Sequence, residues 1–180
     1  MKKSFTLIEL MVVIAIIGVL GVVIVPVVRN AIEKAQAARV IAEVDAITKA
    51  AEAYSIDTSQ WPPDYDSIVA TKLINGFLTD PGVTGWDGPY LKTYRPHPWQ
   101  GNISWACLNN YIAWDNSSGC WVYLDDDRPG TSHSDNGGII PNSAMTRIDA
   151  VADDGNLATG DVRDLAATPG ELSFFVIKLD

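Results

Sequence analysis

Hydrophobic and polar positions divide this chain near residue 30. From Leu10 to Val28 every position is uncharged, and such a run of 19 residues suits a helix crossing ~30 Å of hydrocarbon. Beyond it the pattern turns from continuous to periodic. Val40, Val44, Ile47, Ala51 and Tyr54 recur at spacings of 4, 3, 4 and 3, a single helical stripe. Glu33, Arg39, Glu43, Asp45, Lys49 and Glu52 occupy the other faces, with Asp45 and Lys49 in a favourable i, i+4 pair. Together these predict one nearly continuous helix from Phe5 to about Ile56. Pro26 should kink or locally melt it, with Gly18 and Gly21 loosening the turns before it. Five stripe positions are too few heptads for a coiled coil, so the stripe should bury against the protein's own sheet.

The helix should end near Ser55–Thr58, because Trp61-Pro62-Pro63 forbids its continuation. Tyr65–Ile74 reads as a short helix. A turn-rich stretch follows, from Asp80-Pro81-Gly82 through Trp86-Asp87-Gly88-Pro89. Strands are predicted at Ile103–Ile112, Cys120–Leu124 and, most clearly, Leu172–Leu179 with its β-rich Phe174-Phe175-Val176-Ile177. Asn116-Ser117-Ser118-Gly119 reads as the turn of an antiparallel hairpin. The fold class is therefore α+β, one long helix packed on a small antiparallel sheet.

One residue disturbs the simple picture of an anchor. Glu9 stands at the mouth of the apolar run, and a charge at bilayer depth costs ~2.5–3.5 kcal/mol on insertion scales. A cleaved secretory signal would have a shorter apolar core and a small-x-small site after it, and Val22–Val28 offers none. A plain anchor explains the length and the basic Lys2-Lys3 but leaves Glu9 without a purpose. Snorkelling to the interface is the bland account of Glu9. The third reading removes the first four residues on the cytoplasmic side and keeps the helix.

Residues 4–29 carry the features of that third reading. They are a short basic leader, Phe5 at the new amino terminus, Glu9 at the fifth mature position, and Gly18, Gly21 and Pro26 within the apolar helix. In this the chain resembles the type IV pilin and pseudopilin superfamily. One departure is Ser4, where the family usually has Gly. The resemblance implies a leader at 1–4, a transmembrane and filament-core helix at 5–29, and a globular head at 30–180. It further implies cleavage between Ser4 and Phe5, methylation of Phe5, and filament assembly through Phe5, Glu9 and Pro26. The Phe5 ammonium of one copy would pair with Glu9 of another, since burying the two charges together cancels much of the cost of burying either. The implied partners are other copies, other pilins or pseudopilins, a prepilin peptidase and an inner-membrane assembly platform. The precursor would cross the inner membrane once, with its head periplasmic, before entering the filament.

A second resemblance covers Tyr54 to about Trp105. Trp61-Pro62-Pro63, Gly88-Pro89-Tyr90-Leu91 and Pro98-Trp99-Gln100-Gly101 look like the loop after the long helix in major pseudopilins of type II secretion systems. Here His97 replaces the family's Asp, and Gln100 is inserted before Gly101. A pseudopilin of a type II secretion system is therefore the favoured reading, with a major or minor type IV pilin as the alternative.

Composition narrows the remaining chemistry. Lys2, Lys3, Arg29 and Glu9 are three of 13 basic and one of 22 acidic residues, so the remainder holds 10 and 21, a balance of −11. Such a head is poorly suited to nucleic acid, whose phosphates require clustered Lys and Arg. Cys107 and Cys120 are the only cysteines. In an oxidising compartment they are expected to pair, the alternative being two buried thiols. Two acidic clusters resemble oxygen-rich loops, Asp125-Asp126-Asp127 with Asp135, and Asp149, Asp153, Asp154, Asn156 and Asp161. No cofactor is required, but the pseudopilin resemblance makes calcium a candidate ligand, preferentially at the second cluster, where Gly155 and Gly160 let a loop fold around an ion. The competing account is solvated acidic turns, with Asp154-Gly155 and Asn136-Gly137 as turn dipeptides. Ser132-His133-Ser134 is not a triad, because local adjacency does not supply its geometry. An enzyme is not expected, and a membrane-anchored enzyme or binding module is the remote alternative.

Overall fold

A computed structural model describes residues 5–64, 76–93, 95–111, 117–128, 137–164 and 170–179. The short helix expected at Tyr65–Ile74 lies outside them. The chain divides into two units, Met1–Gln36 and Ala37–Asp180. Helix α1, Leu7–Thr58, runs through the boundary between them. Of the two effects expected at Pro26, a kink or local melting, the melting does not occur. One missing N–H removes a single rung from a ladder of 52 residues, and the turns on either side stay helical.

In the second unit α1 supplies one wall of the core. Ala37, Val40, Val44, Ile47, Ala50, Ala51, Tyr54 and Thr58 are all buried, which includes every position of the predicted stripe. The Asp45–Lys49 pair forms at 2.6 Å on the exposed side, where it adds little stability. The helix stops where Ser59 turns left-handed, at φ 57°, with its N–H on the Ser55 carbonyl. The Thr58 hydroxyl donates back to the Tyr54 carbonyl at 2.7 Å.

Strands β1 (Ile103–Tyr111), β2 (Ser117–Leu124), β3 (Val162–Asp164) and β4 (Leu172–Lys178) form an antiparallel sheet in the order β1-β2-β4-β3. Helix α2, Asn142–Ala152, precedes β3. Ile103, Trp105, Val122, Leu124, Leu172 and Phe174 from the sheet join the α1 stripe, Phe77, and Ile140, Met145 and Ile148 of the α2 region in one core.

One expectation needs correction. Ser117–Gly119 are not a turn but the start of β2, pairing with β1 on one side and meeting β4 on the other. Ser118 accepts from the Leu179 N–H, and a Cβ on Gly119 would collide with the Phe175 ring and the Ile177 carbonyl. Pairing on both sides outweighs the turn preference of these residues. Helix α2 and strand β3 had no counterpart among the expected elements, and Asp154-Gly155 lies in the loop between them. The expected strand 103–112 is formed over Ile103–Tyr111, its last position lying outside the described residues, and the expected strand 172–179 ends one residue earlier, at Lys178.

Candidate functional site

The apolar helix start, taken by itself, is a polar cap on a greasy cylinder. From Leu7 to Val28 the large apolar side chains are exposed, and Phe5 is 81% exposed. Among the described residues this is the one helix long and apolar enough to cross a membrane, and its most apolar window buries nothing within the chain. It fits a membrane anchor. Gly18 and Gly21 have open space where a Cβ would stand, so nothing within the chain requires glycine there.

At its mouth Thr6 and Glu9 cap the helix reciprocally. The Thr6 backbone N–H and its hydroxyl both donate to Glu9 Oε2 at 2.8 Å, and the Glu9 N–H faces Thr6 Oγ1 at 3.4 Å. This is a capping box, Thr at the cap and Glu three residues on, which satisfies donors that the first turn leaves open. The signature Thr6-x-x-Glu9 stood in the sequence, ahead of an apolar run, and the reading of Glu9 as an anomaly passed over it. Glu9 Oε1 keeps no partner among the described residues, so the carboxylate can accept a further donor without releasing Thr6. Ser4 lies outside the described residues.

The head holds the other predicted residues. Cys107 and Cys120 face each other across β1 and β2 and form a disulfide. In the Tyr54–Trp105 block, Tyr90 donates its hydroxyl to Asp57 Oδ2 at 2.7 Å and accepts the Asp87 N–H at 3.0 Å. The Trp86 indole donates to the Gly76 carbonyl at 2.7 Å. Gly85, at φ 93°, passes so close to the Asp57 carbonyl that a Cβ would collide with it. The loop is thus fastened to the end of α1. His97 is buried, its Nε2 donating to the Asp125 carbonyl at 2.8 Å while Nδ1 accepts the Trp99 N–H at 3.3 Å. Burial pushes its pKa down to about 4; the bond to Asp125 opposes the shift and the Arg39 charge adds to it.

Both acidic clusters gather carboxylates. Asp125, Asp126 and Asp127 come together, with Asp125 Oδ1 occupied by the Asp127 N–H, while Asp135 lies outside the described residues. Asp149, Asp153 and Asp154 also come together. Asn156 joins that loop by donating its N–H to Asp154 Oδ1 at 2.8 Å, and Asp161 by donating its N–H to Asp153 Oδ2.

Comparison with known proteins agrees with this arrangement. Residues 1–25 match the prokaryotic N-terminal methylation motif, and residues 31–111 match the PilW C-terminal family. The type II secretion system core protein G of Klebsiella pneumoniae is 31% identical over 99 residues, 54% of this chain and 69% of that protein. Its counterpart in Pseudomonas aeruginosa is 32% identical over 100 residues, 54% of this chain and 68% of that one. A type IV major fimbrial protein FimA of Dichelobacter nodosus is 34% identical over 108 residues, 57% of this chain and 69% of that protein. No solved structure matches the chain. A capped apolar helix leading into an α+β head, matched at both levels by these relatives, places the chain in the type IV pilin and pseudopilin superfamily.

Proposed function

We propose that this chain is a structural subunit of a type IV pilus-like filament, and within that class a pseudopilin of a type II secretion system. The supporting observation is the exposed apolar helix with a single carboxylate at its mouth, four residues from Phe5. In this reading a prepilin peptidase cuts between Ser4 and Phe5, and the new terminus is methylated. The Phe5 ammonium of one copy then takes the open oxygen of Glu9 on its neighbour. An inner-membrane platform extracts each subunit, and Pro26, Gly18 and Gly21 shape the helix contacts of the core. The precursor crosses the inner membrane once with its head periplasmic. The work is mechanical, with no catalytic turnover and no nucleic-acid partner.

The fimbrial relatives carry the second reading, a pilin of a surface fibre. Imaging of the assembled polymer separates the two. Short, envelope-spanning fibres support the secretion reading, and long surface fibres overturn it in favour of the pilus. Mass spectrometry of the mature chain tests the class itself. A product that begins with methylated Phe5 supports it, and one that retains Met-Lys-Lys-Ser overturns it.

A further inference from the structure

Strand β1 forms one edge of the sheet, beside β2 and no other strand among the described residues. An edge strand of nine residues presents a row of backbone N–H and C=O groups on which a further chain can pair. The register shows which groups these are. Asn102 bonds toward the chain that follows β2, its carbonyl accepting the Asp125 N–H and its own N–H going to the Asp127 carbonyl. By alternation Ile103, Trp105 and Cys107 turn their backbone groups away from β2.

Beside that outward row lies Pro62-Pro63-Asp64. Asp64 Oδ1 accepts the Cys107 N–H at 3.1 Å, and the Pro62 carbonyl accepts the Trp105 indole N–H at 3.2 Å. Both contacts join positions 43 residues apart, so the segment keeps step with β1. Pro62 is buried and Asp64 is exposed. Two prolines have no N–H to give, so the segment accepts from β1 without being able to act as a fifth strand. The far edge is closed in the same manner. On β3 the Val162 N–H goes to Asp153 Oδ2 at 3.1 Å, and the Asp164 N–H to the Leu157 carbonyl at 3.0 Å. At both edges, acceptors that belong to no strand take amides that a further strand would use.

We propose that Pro62-Pro63-Asp64 is a strap that keeps β1 from pairing with β1 of a second copy of this chain, with Asp64 as its latch. A second copy is the occupant that fits, because two antiparallel β1 strands about a two-fold axis offer each other the same row of groups. To pair, the incoming strand must break the Asp64 bond and release the Trp105 indole from Pro62. The strap is a property of the single head. It does not depend on the filament reading, since copies that meet anywhere could pair.

The test uses the full-length protein in detergent, with variants compared at equal concentration by analytical ultracentrifugation and hydrogen-exchange mass spectrometry. Asp64→Ala frees the Cys107 N–H and should raise the association constant about fivefold, the worth of one hydrogen bond. Amides over residues 103–108 should exchange more slowly in its associated species than in single copies. Asp64→Asn keeps an accepting oxygen and should associate no more than the native protein. If Asp64→Ala does not fold, Trp105→Phe, which releases the Pro62 end of the strap, carries the same expectation. Association of the strap variant no stronger than that of the native protein overturns the proposal. So does association that leaves exchange over 103–108 unchanged, which would place the contact elsewhere. Equal association of Asp64→Asn and Asp64→Ala overturns the latch, and would leave charge repulsion as what holds the copies apart.

Discussion

Thr6 and Glu9 satisfy each other within a single chain, two Thr6 donors meeting one Glu9 oxygen at 2.8 Å. Within the single chain the Glu9 carboxylate is therefore already hydrogen-bonded. The helix start takes up part of its charge, and among the described residues nothing claims the second oxygen. Charge and capping can be separated by substitution. Glu9→Gln keeps a carbonyl oxygen for Thr6 but cannot pair with an ammonium. It should insert and accumulate like the native chain yet lose nearly all polymer, as Glu9→Ala should. Thr6→Val removes the hydroxyl, which both donates to Glu9 Oε2 and faces the Glu9 N–H, and should cost the helix start about 1 kcal/mol, leaving a reduced but measurable yield. Sheared-fibre yield against total protein checks both. Native polymer yield from Glu9→Gln would show that the ion pair is not what stacks the subunits.

Tyr90 fastens the loop after α1 by one hydroxyl in two hydrogen bonds, to Asp57 and from Asp87. Tyr90→Phe keeps the ring and should lower stability by about 1 kcal/mol, the usual net worth of such a bond. Trp105→Ala is a different case. Trp105 is 0% exposed and its indole donates to the Pro62 carbonyl, so the change should cost about 3–5 kcal/mol. Chemical denaturation of the two variants side by side checks the ratio. Equal losses would mean that the loop, and not the core, sets the stability of the head.

The parts of the fold that the chain writes in period were readable. The α1 stripe is buried at every predicted position because one face of a long helix must leave water, and its spacing is printed in the sequence. β4 was readable because Phe174-Phe175-Val176-Ile177 has few other uses. α2 was not. Its buried residues are Ala144, Met145, Ile148 and Asp149, a stripe of one small and one charged residue among two apolar ones, and Pro141 at its N-cap makes no side-chain cap. β3 was not readable either. Val162–Asp164 is a strand because β4 pairs with it, not because its residues prefer one. The acidic residues 149, 153 and 154 could be grouped by sequence, but the burial that sets Asp149 apart comes from the helix that went unread.

The disulfide joins β1 to β2 at directly opposed positions, with Cys120 fully buried and 13 positions separating the pair. Closing a loop of that size restricts the unfolded chain, and its loss should cost about 2–4 kcal/mol. The double variant Cys107→Ser with Cys120→Ser should therefore melt lower than the native protein in the absence of reductant. It should be insensitive to reductant, while the native protein should fall toward it. Equal melting of the two under oxidising conditions would leave the bridge without a stabilising role.

His97 gives the head a pH dependence whose sign can be worked out. Its carbonyl partner, Asp125 O, can only accept, so Nε2 carries the proton, and Nδ1 accepts from Trp99; the folded ring is neutral and fully used. In the unfolded chain the pKa returns from about 4 to the ordinary 6.5, so unfolding takes up a proton anywhere between those values. Stability is thus whole above about pH 6.5 and declines as pH falls toward 4, by about 3 kcal/mol in all. Asp149 works in the opposite direction. Its raised pKa lets the folded state hold a proton that the unfolded state has released, so on acidification it adds stability rather than removing it. The two contributions are separated by His97→Gln. That variant should be less stable than the native head at neutral pH, because Gln cannot reproduce both ring contacts, but its stability should vary less between pH 6.5 and 4. The difference between native and variant melting temperatures should shrink as the pH falls. A difference that stays constant over that interval would mean that His97 is not the group that titrates on unfolding.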